Sequence, residues 1–363
     1  MARGGRSRRR GRRALFAAAV MLLLLALGAT GGYLWLQREF RGPGPGTAAS
    51  LIQVEPGASL RSVLARLEDS GVVRHARAVE VYLRLRGQRP RVQAGTYELP
   101  PQVSPEEIIA LLEQGKVVLE QLTVVEGATF SEFLEALDQH PHVLHTLRRK
   151  SPAAVMAALG HPEVSAEGEF FPDTYRFAAN TPDIAILTLA YDSMQRVLTE
   201  AWAQHSPGLP YDTPYQALIL ASMVEKEAAL KTERARIAGV FVNRLRKGMR
   251  LQSDPTVIYG LGEKYDGSIH TRDLLRDTPY NTYTRAGLPP TPVALPGRES
   301  VLAAARPEET QALYFVATGL GDGAHHFSRT LEEHNSAVKA YLARLRTEGR
   351  AADPKPVPVA PRP

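Results

Sequence analysis

The chain has 363 residues, with 44 Lys+Arg against 38 Asp+Glu and no cysteine. That length is enough for a sizeable core or for two modest domains with tails. The lack of cysteine excludes a disulfide framework, thiolate metal sites, iron–sulfur clusters and a cysteine nucleophile.

The first thirteen residues, MARGGRSRRRGRR, hold seven arginines and no acid. The chain total is +6, so residues 14–363 balance to −1. The basic character belongs to this head (1–13), and the body gives no reason to expect a nucleic-acid partner. From Ala14 to Leu36 no charged residue occurs for 23 positions. At about 1.5 Å per residue such a helix crosses a hydrocarbon core of about 30 Å. The preceding arginines predict a cytoplasmic N-terminus, and Tyr33 and Trp35 suit the far interface. A cleaved signal peptide is the competing reading, but its apolar region is shorter, roughly 7–15 residues, and ends at an A-x-A-like site that is poor here. The expectation is an uncleaved transmembrane helix over 14–36, then a tether over 37–50 rich in Gly, Pro and Ala.

Residues 51–118 read as a small α+β module. A strand is expected over Leu51–Glu55, with a turn at Pro56-Gly57. Leu60, Val63, Leu64 and Leu67 recur at helical spacing up to Gly71. A second helix is expected over Ala76–Arg86 and another strand over Gly95–Leu99. Ser104-Pro105-Glu106-Glu107 is a capping box that opens a helix ending near Gly115. The segment from Val54 to Leu60 resembles the segment from Val124 to Phe130, a weak repeat at an offset of 70. Each copy reads as strand, glycine turn, capping hydroxyl and helix. This fits either a unit used twice for packing or a module that rests on a polymer such as glycan.

Residues 140–210 are expected to be mostly helical, with Phe170 and Phe171 in the core. Thr213-Pro214 is an N-cap followed by proline at the first helical position. Ala217–Val224 is apolar except for Ser222, the pattern of a helix buried all round. Glu225, Lys226 and Glu227 continue it, with Glu225 on the face of Leu218 and Ala221. A carboxyl at the end of a buried helix loses water, which disfavours its charged form and suits a general acid. An ordinary surface pairing with Lys226 or Lys231 is the bland alternative, and Glu227 is the alternative carboxylate. A helix over Glu233–Lys247 stops at Gly248. Loop-rich polar stretches follow, with Gln252, Asp254 and Thr256 in the first and Tyr280, Asn281 and Tyr283 in the second. Thr330-x-x-Glu333 caps a terminal helix, and the last seventeen residues, with five prolines, read as a disordered tail over 347–363. No H-E-x-x-H, G-x-S-x-G, P-loop or dinucleotide fingerprint occurs.

Taken together, EGEFFPDTYRF, ASMVEKEA, FVNRLRKGMRLQSDPTVIYG, YNTYTRAGLPPTPVALPG, YFVATG and the His-x-Phe of His325–Phe327 resemble the YceG-like family of endolytic murein transglycosylases. The resemblance spans about residues 51–346. It departs from the family pattern at Glu169, where an apolar or aromatic residue is expected.

The resemblance implies an α+β protein with a single N-terminal transmembrane helix, a LysM-like module over 51–118 and a mostly helical catalytic domain over 119–346. It implies peptidoglycan glycan strands as substrate and Glu225 as catalytic acid, with Gln252, Asp254, Thr256, Tyr280, Asn281 and Tyr283 lining the groove. It also implies no metal and no cofactor, a place in the bacterial cytoplasmic membrane with the catalytic domain outside, and peptidoglycan synthases as partners. The rival reading is a non-enzymatic peptidoglycan-binding scaffold.

Overall fold

The computed structural model describes residues 5–347. Residues 1–4 of the arginine-rich head, and the proline-rich tail from residue 348, lie outside them. The described chain mixes helices and strands and divides into two compact units. One comprises Met1–Glu120 with Ala178–Asn180, the other Gln121–Phe177 with Thr181–Pro363.

The first unit opens with the helix Gly5–Arg41. Its part Leu15–Arg41 is long and apolar enough to cross a membrane. Residues 15–35 are exposed all round, the pattern of a helix whose apolar surface needs a non-aqueous environment. The rest of the unit is a two-stranded antiparallel sheet, Ser50–Val54 against Gly95–Leu99, covered by the helices Leu60–Asp69, Ala76–Leu85 and Pro105–Gln114. Val63, Leu67, Val79, Leu83, Ile108 and Leu112 bury their side chains together with Tyr97 of the sheet. Ser104 and Glu107 complete the expected capping box, and Gly115 ends that helix in the left-handed conformation at φ 62°.

The segment read as a flexible tether differs. The helix runs on to Arg41 because Phe40 enters the core of the unit and packs on Tyr82 at 4.7 Å. Glu39 meets His75 at 3.1 Å. Beyond the helix, the Gly44 N–H donates to the carbonyls of Gln102 and Val103 at 3.1 and 3.2 Å. A Cβ on Gly44 would stand 2.5 Å from the Val103 oxygen and 2.6 Å from that of Val72, so the close approach requires glycine.

The second unit holds two apolar clusters. In one, Phe130, Phe133 and Leu137 of the helix Phe130–Gln139 meet Phe170, Tyr175 and the first half of the helix Asp183–Trp202. Residues 140–210 are less helical than the sequence suggests. Between the helices Pro152–Ala158 and Asp183–Trp202 the chain runs in turns and short strands, broken by Gly160, Gly168 and prolines. Phe170 is core, and Phe171 packs against the other cluster, half-buried. That second cluster joins the end of Asp183–Trp202 to the helices Pro214–Glu227, Arg234–Arg246 and Arg298–Ala305. A hairpin, Tyr314–Ala317 with His325–Ser328, and the helix Leu331–Thr347 follow.

One stretch expected as loop forms a helix, Asp254–Leu261. Its proline lies in the first turn, where no intrahelical N–H is needed. Both copies of the weak repeat adopt the same local structure. Gly57 and Gly127 turn at φ 78° and 80°, and Ser59 and Thr129 cap the helices that follow.

Phe40→Ala is expected to cost the first unit about 3–5 kcal/mol by leaving a cavity and to free residues 42–49. Limited trypsin digestion of the full chain in detergent then cuts after Arg41 faster than in the parent; an unchanged rate would refute this seating of the helix.

Candidate active site

Glu225 lies in the last turn of the helix Pro214–Glu227. Thr213 and Gln216 form the capping box that starts this helix, and Ala217–Val224 are all buried. Ser222, the one polar residue in that run, donates to the Ile219 carbonyl at 2.7 Å and accepts the Val293 N–H at 2.9 Å. It thereby fixes the buried segment 292–297 beside the helix end.

The Glu225 side chain is 4% exposed and does not stand alone. Its Oε2 accepts the Gly297 N–H at 2.9 Å, and its Oε1 accepts from Arg234 Nη2 at 2.6 Å. The same nitrogen reaches Glu126 Oε2 at 3.2 Å. Two carboxylates therefore share one guanidinium. Arg234 opens the helix Arg234–Arg246 and is buried. Glu126 comes from the turn of the second repeat copy, where the first copy has Pro56. Leu295 bonds this turn twice: the Gly127 N–H donates to Leu295 O at 2.9 Å, and the Leu295 N–H donates to Ala128 O at 2.7 Å. A Cβ on Gly297 would fall 2.1 Å from Glu126 Oε1, so a larger residue there would push the Glu126 side chain aside. The surface pairing with Lys226 or Lys231 is not what forms: Lys226 Nζ donates to the Gly127 carbonyl at 3.0 Å.

Glu227 turns elsewhere and accepts from Ser253 Oγ at 2.7 Å. Next to Ser253, Asp254 Oδ1 accepts from the Tyr283 hydroxyl at 2.6 Å. Gln252 Oε1 accepts from Arg244 Nη1 at 3.2 Å. Gln252 holds φ 53°, a left-handed conformation that costs a non-glycine residue energy. Its N–H is pinned to the Thr282 carbonyl at 3.1 Å. Thr256 is fully buried between Ser253 and Thr282, and Asn281 is buried with its amide aimed at the carbonyls of Asp273, Leu274 and Arg276. These two hold the loops in place, and Gln252, Asp254 and Tyr283 keep partial exposure. Tyr280 stands apart from that group, edge-on to Tyr259 at 4.8 Å and bonded to Thr291 at 2.9 Å.

Tyr259 leads to a carboxyl the sequence reading did not single out. Its hydroxyl donates to Glu167 Oε2 at 3.1 Å, and the Phe130 N–H donates to Oε1 at 3.0 Å. Glu169 is buried as well and accepts from Gln195. Burial pushes both carboxyls up to about 7, against the pull of these hydrogen bonds. Glu126 and Glu167 lay inside stretches already noticed, the repeat and EGEFFPDTYRF. Arg234 gave no signal among the basic residues of KTERARIA.

The YceG-like family model matches residues 52–340. A Bacillus subtilis protein named endolytic murein transglycosylase is 31% identical over 311 residues, which cover 80% of this chain and 84% of that protein. A protein of the same name from Streptococcus pneumoniae serotype 2 is 26% identical over 366 residues, covering 88% of this chain and 64% of the longer relative. A crystal structure of a YceG-like protein from Listeria monocytogenes has 31% sequence identity and a TM-score of 0.48, covering 80% of this chain and 99% of that one.

A carboxyl raised in the folded state keeps its proton there, so its stabilising contribution is whole below the unfolded value and is lost as pH rises through about 7. The second unit is therefore expected to melt lower at about pH 8 than at about pH 5, by an amount on the order of 3 kcal/mol for each carboxyl. Glu167→Gln and Glu169→Gln should each flatten that slope in calorimetric melts at the two pH values; an equally steep slope in both variants would contradict this.

Proposed function

The chain belongs to the YceG-like family, and on that premise we propose that it is a membrane-anchored endolytic lytic transglycosylase of peptidoglycan. The observation that carries the reading is the buried Glu225 carboxylate, sharing Arg234 with Glu126 at the end of a helix that cannot shift without opening the core.

The reaction begins with Glu225 protonated. Glu225 gives the proton to the oxygen bridging N-acetylmuramic acid to N-acetylglucosamine as the bond from the muramyl anomeric carbon to that oxygen breaks. Positive charge builds on the anomeric carbon. The muramyl C6 hydroxyl attacks it from within the same sugar and closes a 1,6-anhydro ring, and its proton goes to the Glu225 carboxylate. No water is consumed and the enzyme is restored. Because the hydroxyl is already attached, its effective concentration is high enough to outcompete water. One carboxyl then acts as acid and as base, where ordinary glycosidases use two. Asp254 and Tyr283, with Gln252 beside them, are assigned to the glycan-binding wall, and Thr256 and Asn281 to holding that wall. Tyr280 on Tyr259 offers a ring face for a sugar.

In the same reading the N-terminal helix spans the cytoplasmic membrane with the arginine-rich head inside. Residues 51–118 are a LysM-like module, residues 119–346 carry catalysis, and cutting nascent strands near the membrane limits their length. Peptidoglycan synthases are the expected partners. No metal or organic cofactor enters the chemistry. The rival, a scaffold that binds peptidoglycan without cleaving it, is separated by the same experiment.

The full chain and its Glu225→Gln and Glu126→Gln variants are compared on uncrosslinked nascent peptidoglycan, with products read by mass spectrometry. Anhydro-ended fragments are expected from the parent, with a loss of about a hundredfold to ten-thousandfold in Glu225→Gln and a smaller loss in Glu126→Gln. Reducing-end products would mean hydrolysis, equal activity in Glu225→Gln would move the acid elsewhere, and binding without cleavage by any of the three would favour the scaffold.

A further inference from the structure

The helix Ala76–Leu85 buries Val79, Tyr82 and Leu83 against the first unit's core and leaves Arg77, Val81, Arg84 and Leu85 outward. Val81 is 44% exposed and Leu85 63%. Leu85 lines an apolar groove of about 540 Å³ together with Ala29, Gly32, Tyr33, Trp35 and Leu36 of the N-terminal helix. Those five are the last turns of its charge-free run, so Leu85 sits at the level where that run reaches the interface. The level is fixed: Tyr82 packs on Phe40 at 4.7 Å and lies 6.0 Å from Tyr33, and His75 lies 5.7 Å from Trp35.

The charge beside this apolar edge is mostly positive. Residues 74–91 contain six arginines and a single acid, Glu80. Glu80 is paired with Arg84 at 2.7 Å and approaches Arg61 at 4.0 Å. Arginine stems lie along apolar surface while their heads reach phosphate, and an amphipathic helix with basic and apolar residues side by side binds in the interfacial plane.

We propose that the helix Ala76–Leu85 lies in the outer-leaflet interface of the same bilayer that its N-terminal helix crosses. Val81 and Leu85 would enter among the upper acyl chains, and Arg77 and Arg84 would engage phosphates of anionic phospholipid. The occupant of this face is the lipid surface, because the face is continuous with the anchor and complementary in charge to lipid phosphate. The proposal rests on the reading of the N-terminal helix as a membrane anchor. It gives the first unit a fixed height and tilt on the membrane.

The chain has no cysteine, so single-cysteine labels report one site each. Leu85→Cys and, separately, Leu23→Cys are made in the full chain, labelled with an environment-sensitive fluorophore and reconstituted in phosphatidylcholine–phosphatidylglycerol vesicles. Both labels are expected to be quenched by doxyl groups on the lipid chains and shielded from aqueous iodide. Adding Arg77→Glu and Arg84→Glu to the Leu85→Cys chain should return that label to iodide. A Leu23 label quenched by lipid with a Leu85 label open to iodide would overturn the proposal and leave the anchor standing. A Leu23 label not quenched by lipid would overturn the anchor and the proposal with it. A Leu85 label that stays shielded after charge reversal would overturn the phosphate pairing.

Discussion

A carboxylate taken out of water must have its charge matched, or its burial costs more than the surrounding packing returns. Glu225 is in that position, and the second unit is built around the solution. The buried helix supplies the carboxylate, the start of the next helix supplies Arg234, and the segment 292–297 supplies the Gly297 N–H. Each supplier is itself held. Ser222 bonds Val293, Gly127 and Ala128 pair with Leu295, and Lys226 reaches the Gly127 carbonyl. Loosening any one of these would strip a donor from a buried charge, so the site and the fold share the same bonds.

The second carboxylate on Arg234 changes what that pairing means. In a buried Arg–Glu pair alone, losing one charge strands the other. Here Glu126 also bonds the guanidinium, so Arg234 has a partner besides Glu225. The proposed acid-then-base cycle draws on that second partner. Glu167 and Glu169 meet the problem differently. Among the described residues both meet neutral donors rather than a cation, and burial favours the protonated form of both.

Elements whose local code agrees with their packing were legible in the sequence. The Ser104 capping box, the helix opened at Thr213-Pro214, the Gly57 and Gly127 turns and the strand Gly95–Leu99 all carry signals within a few residues of where they form. Glu225 was legible as a carboxyl at the end of a buried run. Its partners were not, because Arg234 and Glu126 meet only through the tertiary fold, and one arginine among many has no distinguishing periodicity. Asn281 and Thr256 illustrate the converse: polar residues in loop-rich stretches read as binding groups, but they spend their hydrogen bonds on the protein itself. The helix Asp254–Leu261 was hidden by its proline and its polar start, both compatible with a first turn.

The segment after the charge-free run shows how composition can mislead. Gly, Pro and Ala at 42–49 have the make-up of a flexible linker, yet the backbone there is bonded to the first unit at Gly44 and Gly46, and Phe40 is buried just before it. The glycines serve close approach rather than freedom. A linker of this make-up would let the unit wander over a distance set by its length. A helix that enters the unit's core instead fixes where that unit stands relative to the apolar segment. The position of the first unit with respect to the apolar segment is then a property of side-chain packing at Phe40, Tyr82 and Trp35, and a substitution there would act on placement even if it left the surroundings of Glu225 untouched.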